Sequence, residues 1–184
     1  MICGFVIVKI LLDEQQLNEG VEKLARSIND SYGSRPLTII GIMTGSVILL
    51  ADLIRKLDMP MRVGVLQTAS YHGTQRGTLT IDAEMMLDVT QRDVLLVDDI
   101  FDTGNTLTAV IERVRQLGPQ SIQSAVLLRK TGQQQVTGQP DFVAFDIPDE
   151  FVVGYGLDYN DEYRNLSHIA CLEPDDLAVS DRGM

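Results

Sequence analysis

Two adjacent carboxylates, Asp98 and Asp99, close the apolar run Val94-Leu95-Leu96-Val97, and a third, Asp102, leads into Thr103, Gly104, Asn105 and Thr106. An acidic pair can accept hydrogen bonds from a vicinal diol such as that of ribose, and a nearby carboxylate can take up or return a proton. A Thr-Gly-Asn-Thr turn entering a helix supplies unpaired N–H groups, two hydroxyls and the positive end of the helix dipole, all suited to a phosphate. Gly104 lets the backbone approach such a group closely. The chemistry in view is the handling of a sugar phosphate. The same residues also fit solvated acids at a strand end followed by an ordinary N-cap, and the stretch by itself does not separate the two.

The elements that must position these residues can be read on either side. After Asp13, a good N-cap, apolar residues Leu17, Val21, Leu24 and Ile28 recur at helical spacing and predict an amphipathic helix over 14–30. LTIIGIM (37–43) predicts a buried strand, Thr44-Gly45-Ser46 a turn, and VILLADLIRKL (47–57) a helix. RVGVLQTA (62–69), RDVLLVDD (92–99) and SIQSAVLL (121–128) predict further strands, and GNTLTAVIERVRQLG (104–118) a helix closing at Gly118-Pro119. Strands alternating with helices imply an α/β fold with a parallel sheet covered on both faces. Ligands of such sheets bind beyond the carboxyl ends of the strands, where Asp98 and Asp99 fall.

Composition narrows the function classes. A chain of 184 residues with 45% hydrophobic content is the size of one domain. Its 15 Lys+Arg against 26 Asp+Glu give a net charge of -11, which argues against a protein that grips a phosphate backbone through a basic face. The two cysteines, Cys3 and Cys171, lack metal-ligand spacing and read as reduced thiols, so the expected compartment is the cytoplasm. The apolar opening MICGFVIVKILL is interrupted by Lys9 and reads as an edge strand rather than a signal peptide or membrane anchor. Neither nucleic acid nor membrane is an expected partner.

The whole spacing, an apolar strand, an acidic pair and Asp-Thr-Gly-x-Thr, closely resembles the phosphoribosyl pyrophosphate (PRPP) motif of the type I phosphoribosyltransferases. LLRKT (127–131), PDF (140–142), FVVGYGLDY (151–159), Ser70-Tyr71 and Arg164 fall in the order seen in the branch of that family acting on hypoxanthine and guanine. The resemblance implies a parallel core, about 14–140, and a small hood built from the N-terminal segment and about 141–172, followed by the acidic tail 173–184. It also implies the reaction, in which a 6-oxopurine is joined to PRPP in purine salvage, giving IMP or GMP and pyrophosphate.

Residue roles follow from the same resemblance. Asp98 and Asp99 match the pair that holds the ribose hydroxyls and the water shell of Mg2+, and Asp102 to Thr106 match the 5′-phosphate loop. Asp102 matches the general base near N7 of the purine, and Lys130 the donor to its O6. Phe151 would stack on the purine and Val152 pair with its edge through backbone groups. Asp158 matches a carboxylate near the purine, a second magnesium ion and the pyrophosphate, while Arg164 matches a pyrophosphate contact. Thr44-Gly45 occupies the pyrophosphate loop, where the family usually carries Lys-Gly or Arg-Gly, so a cationic side chain is missing there. In the family this turn holds a cis peptide, expected here at Met43–Thr44. Residues 70–78, with Ser70 and Tyr71, match a mobile lid. His72 and His168 lack metal-ligand spacing and read as surface residues.

An acidic chain that binds a polyanion needs divalent cations to neutralise phosphate oxygens, and oxygen ligands favour Mg2+. Family members generally associate, so a homo-oligomer, dimer or tetramer, is expected. Two rivals remain open on sequence. A regulator sensing PRPP on the same fold would keep 98–106 but need a basic face to meet nucleic acid. A transferase for another base, xanthine, would keep the whole constellation.

Overall fold

The computed structural model describes residues 9–69, 80–81 and 87–172. The large sheet has five parallel strands: β2 (Leu37–Met43), β3 (Met61–Ala69), β5 (Asp93–Phe101), β6 (Ser121–Lys130) and β7 (Phe142–Ile147). Their order is β3-β2-β5-β6-β7, and the short β4 (Thr80–Ile81) lies antiparallel beside β3 at one edge.

Both faces of the sheet are covered, and the strand sequences say why. Along β2, Ile39 packs into one buried cluster and Ile40 and Ile42 into the other; along β5, Leu95 and Val97 face the first and Val94 and Leu96 the second. Alternation of large aliphatics on two buried faces is what a central parallel strand requires. The first cluster is closed by α1 (Glu14–Tyr32) and α2 (Val47–Ile54), the second by α3 (Asn105–Arg115). Trimming Leu95 or Leu96, both fully buried, to Ala would cost about 2–5 kcal/mol and loosen the strand that carries the acidic pair.

Helix α1 begins as its sequence dictates. The Asp13 carboxylate accepts from Gln16 N at 2.8 Å, and the Gln16 side chain accepts from Asp13 N at 2.9 Å, a reciprocal capping box. Leu17, Val21, Leu24 and Ile28 are all buried, and Gly20 lies so close to the Phe145 ring that a Cβ there would overlap it. Helix α2 is shorter than its apolar sequence predicts. Asn29 reaches across from α1, donating to the Lys56 carbonyl at 3.1 Å and accepting from Asp58 N at 3.1 Å, so the chain leaves the helix before the predicted Leu57. Leu57 and Met59 still bury in the core.

A second, three-stranded sheet has the order β1-β9-β8, formed by β1 (Lys9–Leu12), β8 (Val152–Val153) and β9 (Ile169–Cys171), all antiparallel. Lys9–Leu12, the described part of the apolar opening 1–12, is an edge strand as expected, and residues 1–8 lie outside the described residues. β7 is a correction to the sequence reading, which placed everything after about residue 140 with the hood: Phe142–Ile147 pairs with β6 and completes the large sheet, so the smaller sheet takes up the chain only beyond it. Its half-buried FVAFDI pattern reflects its place at the sheet edge. The small sheet is tied down by Tyr155, whose hydroxyl donates to Asp52 of α2 at 2.7 Å.

Among the described residues no helix is long and apolar enough to cross a membrane. Cys171 is a free, buried thiol that donates to Glu150 at 2.5 Å; burial first, then the neighbouring carboxylate, pushes its pKa up to about 11. His168 is a correction too: it is half-buried rather than on the surface, and its Nε2 finds no hydrogen-bond partner among the described residues. Cys3, His72, the lid residues Ser70 and Tyr71 with the rest of 70–78, and the tail 173–184 lie outside the described residues.

Candidate active site

The carboxyl ends of β2, β5 and β6 meet at one rim. A cavity of about 500 Å³ opens there, lined by Thr44 and Gly45 after β2, by Asp98, Asp99, Asp102, Thr103, Gly104 and Thr106 along and after β5, and by Asp158 and Arg164 from the chain beyond β8. A smaller cavity of about 200 Å³ shares Asp99, Ile100, Asp102 and Asp158 with it and is otherwise lined by Lys130, Phe151, Val152 and Leu157. Ten of the residues singled out on sequence therefore surround one space, and the three read as purine contacts adjoin it. Asn105 is the exception: it is exposed, and its side chain turns away to donate to Gln135 Oε1 at 3.3 Å.

The phosphate loop has the shape its sequence predicts. Gly104 adopts φ +84, a left-handed conformation, and a Cβ there would overlap Val136 and the Phe101 ring. Its carbonyl accepts from Thr108 N at 3.0 Å, opening α3 directly behind the loop. The segment after β6 braces it, since Gln135 N donates to the Thr103 carbonyl at 2.9 Å.

The acidic pair is packed, not solvated. Asp98 is only 6% exposed, and burial, then the Asp99 charge, holds its pKa well above the usual carboxylate range. Burial raises Asp99 as well. Each carboxylate is pinned by the backbone: Asp98 Oδ1 accepts from Asp99 N at 3.0 Å, and Asp99 Oδ1 from Ile100 N at 2.8 Å. The burial of Asp98 and its place with Asp99 on the cavity wall favour a site over plain strand-end acids.

Across the cavity the Met43–Thr44 peptide is cis, as the sequence resemblance implied. Gly45 follows against the Asp99 carboxylate, leaving no room for a Cβ, and a Cβ on Gly156, at φ +103, would strike the Gly45 carbonyl. The strand ends and the hood thus meet through glycines. Thr44 is exposed on the cavity wall and brings no charge.

Two cations serve the two spaces. The Arg164 guanidinium lies 2.8 Å from Asp158 and 3.3 Å from Asp161, and donates to the Gly156 carbonyl at 2.9 Å. Lys130 is buried at the end of β6, with Asp102 at 3.3 Å and Asp149 at 3.2 Å. Phe151 is 43% exposed on the wall of the smaller cavity and meets Tyr159 with ring centroids 5.5 Å apart and planes at 84°. Val152 is buried on β8, the edge strand of the small sheet.

Sequence reasoning missed Asp149, Ile100, Leu157 and Gly156. Asp149 is brought to Lys130 by β6–β7 pairing, in which Lys130 stands opposite Ile147, so only recognition of β7 as a core strand could have found it.

A five-stranded parallel sheet with flanking helices, a phosphate loop after an acidic strand end and a small sheet over the rim define the type I phosphoribosyltransferase fold. The chain belongs to the phosphoribosyltransferase family: the model of the phosphoribosyl transferase domain matches residues 8–160. It is 36% identical over 166 residues to the hypoxanthine-guanine phosphoribosyltransferase of Staphylococcus epidermidis, covering 89% of this chain and 93% of the relative. It is 36% identical over 169 residues to that of Aquifex aeolicus, covering 90% and 95%. A solved structure of Trypanosoma cruzi hypoxanthine phosphoribosyl transferase superposes with a TM-score of 0.90 at 32% identity, covering 98% of this chain and 100% of the other.

Proposed function

We propose that this chain is a purine salvage enzyme that transfers the phosphoribosyl group of PRPP to hypoxanthine or guanine, giving IMP or GMP and pyrophosphate. The observation that carries this reading is the meeting of Lys130 and Asp102 at the junction of the larger cavity, which holds the phosphate loop, and a smaller one lined by the exposed Phe151 ring. A donor for O6 and an acceptor for the purine proton stand side by side where the purine would enter.

In this reading the loop from Asp102 to Thr106 holds the 5′-phosphate and the acidic pair holds the ribose hydroxyls. Thr44, Gly45 and Arg164 face the pyrophosphate. Phe151 stacks on the purine, whose edge meets the Val152 backbone. As N9 bonds to C1′, the bond from C1′ to pyrophosphate breaks and the leaving group departs with the electron pair. Asp102 accepts the proton released from the purine, and its charge offsets the positive character growing on the ribose. Lys130 donates to O6, which fixes the base by a hydrogen bond that a 6-amino purine cannot accept.

The donor set also fits a divalent cation. Two adjacent buried carboxylates that disfavour their own charge are an incomplete arrangement until a cation joins them. Among the described residues no group of three or more His, Cys, Asp or Glu side chains is placed to hold a metal by itself, and an Mg2+ ion here would lean on its own waters and on substrate phosphates. Asp98 and Asp99 would hold the water shell of one ion and Asp158 would stand near a second, and the charge so supplied would neutralise the departing pyrophosphate. The buried free thiol of Cys171 supports a reducing, cytoplasmic location. Association into a homo-oligomer belongs to the same reading and is supported by the Trypanosoma cruzi enzyme, whose oligomeric state has been related to its C-terminal region.

Incubation with hypoxanthine, PRPP and Mg2+, with products identified by mass, tests the reading. Equal amounts of IMP and pyrophosphate are expected; PRPP hydrolysis without IMP overturns it. Preference for xanthine over both other bases would favour the xanthine-specific alternative.

A further inference from the structure

Lys130 is held by two carboxylates at once, Asp102 at 3.3 Å and Asp149 at 3.2 Å. The roles given above place conflicting demands on this group. An ammonium paired with Asp102 gives that carboxylate one of its three donors and occupies one of its two oxygens, so both roles compete with the pair. An ammonium that simply left Asp102 would be stranded in a nearly dry position, 9% exposed, with its charge uncompensated.

Asp149 resolves the conflict. It lies beside Lys130 but outside the lining of the smaller cavity, so it touches the lysine and not the space for the purine. Its second oxygen accepts from Gln133 Nε2 at 2.6 Å, which fixes the carboxylate from the far side. Gln134 donates to the Lys130 carbonyl, and Gln135 grips the phosphate loop through Thr103 and Asn105. Three consecutive glutamines thus each anchor a different part of one site.

We propose that Asp149, fixed by Gln133, is the positioning residue that keeps the Lys130 ammonium aimed at the O6 of an incoming 6-oxopurine and lets it leave Asp102 when that purine enters. This inference rests on the transferase reading. Asp149 acts only through Lys130, which distinguishes it from a purine contact and from a residue that merely stabilises the fold.

A double-mutant cycle with hypoxanthine and PRPP tests it. Asp149→Asn should raise the hypoxanthine KM about 10-fold, the loss expected for one charged hydrogen bond, with the PRPP KM changed by less than about twofold. Gln133→Leu should move the hypoxanthine KM in the same direction by about threefold. In a Lys130→Met background either substitution should add less than about twofold, because the group it positions is gone. Should Asp149→Asn fail to fold, the cycle between Gln133→Leu and Lys130→Met carries the test, since Gln133 is exposed. Additive losses in the double variant, or a PRPP KM rising in step with the hypoxanthine KM, overturn the inference while wild-type transfer to hypoxanthine stands. Absence of that wild-type transfer removes the transferase reading and this inference together.

Discussion

The ammonium of Lys130 stands 3.3 Å from the carboxylate of Asp102, although one residue ends β6 and the other begins the loop after β5. Parallel pairing of these strands, with Phe101 opposite Arg129, brings the two chain segments side by side. In the proposed reading, charge developing on a bound purine would be flanked by a donor and an acceptor from neighbouring strand ends. Asp102→Asn keeps the loop's shape but removes the acceptor. It should lower the single-turnover rate by about 10²-fold while PRPP binding, measured by titration calorimetry, survives. An unchanged rate would remove Asp102 as the base.

Gly45 sits against Asp99 with no space for a methyl group. Gly45→Ala must shift either the strand end or the carboxylate, at a cost of about 1–3 kcal/mol. We expect a lower Tm together with a raised PRPP KM. A variant with wild-type values for both would show that the loop and the acidic pair are not packed as described.

The acidic pair carries a stability penalty as well as a function. Burial and mutual repulsion disfavour the charged forms of Asp98 and Asp99. Asp98→Asn relieves the repulsion and can retain the hydrogen bond from Asp99 N. In metal-free buffer at neutral pH it should raise Tm by about 2–4 °C, while transfer falls. Added Mg2+ with PRPP should stabilise the wild type more than the variant. A lower Tm for Asp98→Asn would contradict the penalty.

Arg164 is the one cation among the described residues lining the larger cavity, and Asp158 and Asp161 already share it. Thr44, on the same wall, brings no charge. Thr44→Lys should strengthen product inhibition by pyrophosphate about threefold at low salt, with the gain shrinking as ionic strength rises. No change at low salt would mean that position 44 does not face the pyrophosphate.

The parts of this site legible in the sequence are contiguous. Asp98 to Thr106 carry strand, turn and helix start in one stretch, so their types and spacing declare the shape, and the resemblance of the whole motif to a known family supplies the chemistry. Asp149 was not legible because its partner is fixed by the pairing of two strands, and FVAFDI, although it holds an apolar run of its own, falls in the stretch that the resemblance assigned to the hood. The early end of α2 was equally hidden, since it depends on Asn29 reaching across from another helix. Asn105 shows the converse limit: the motif placed it in the loop, but a neighbouring glutamine decided where its side chain points.

The central claim is that Lys130 reads the 6-oxo group of a purine delivered to PRPP. PRPP-dependent pyrophosphate release should therefore be measured with hypoxanthine, guanine, xanthine, adenine and orotate, for the wild type and for Lys130→Met. The account predicts release with hypoxanthine or guanine and none above background with adenine or orotate. It also predicts that Lys130→Met raises the 6-oxopurine KM by about 10-fold or more while leaving the PRPP KM unchanged. Release with adenine or orotate equal to that with hypoxanthine, or equal losses for purine and PRPP in Lys130→Met, would contradict it.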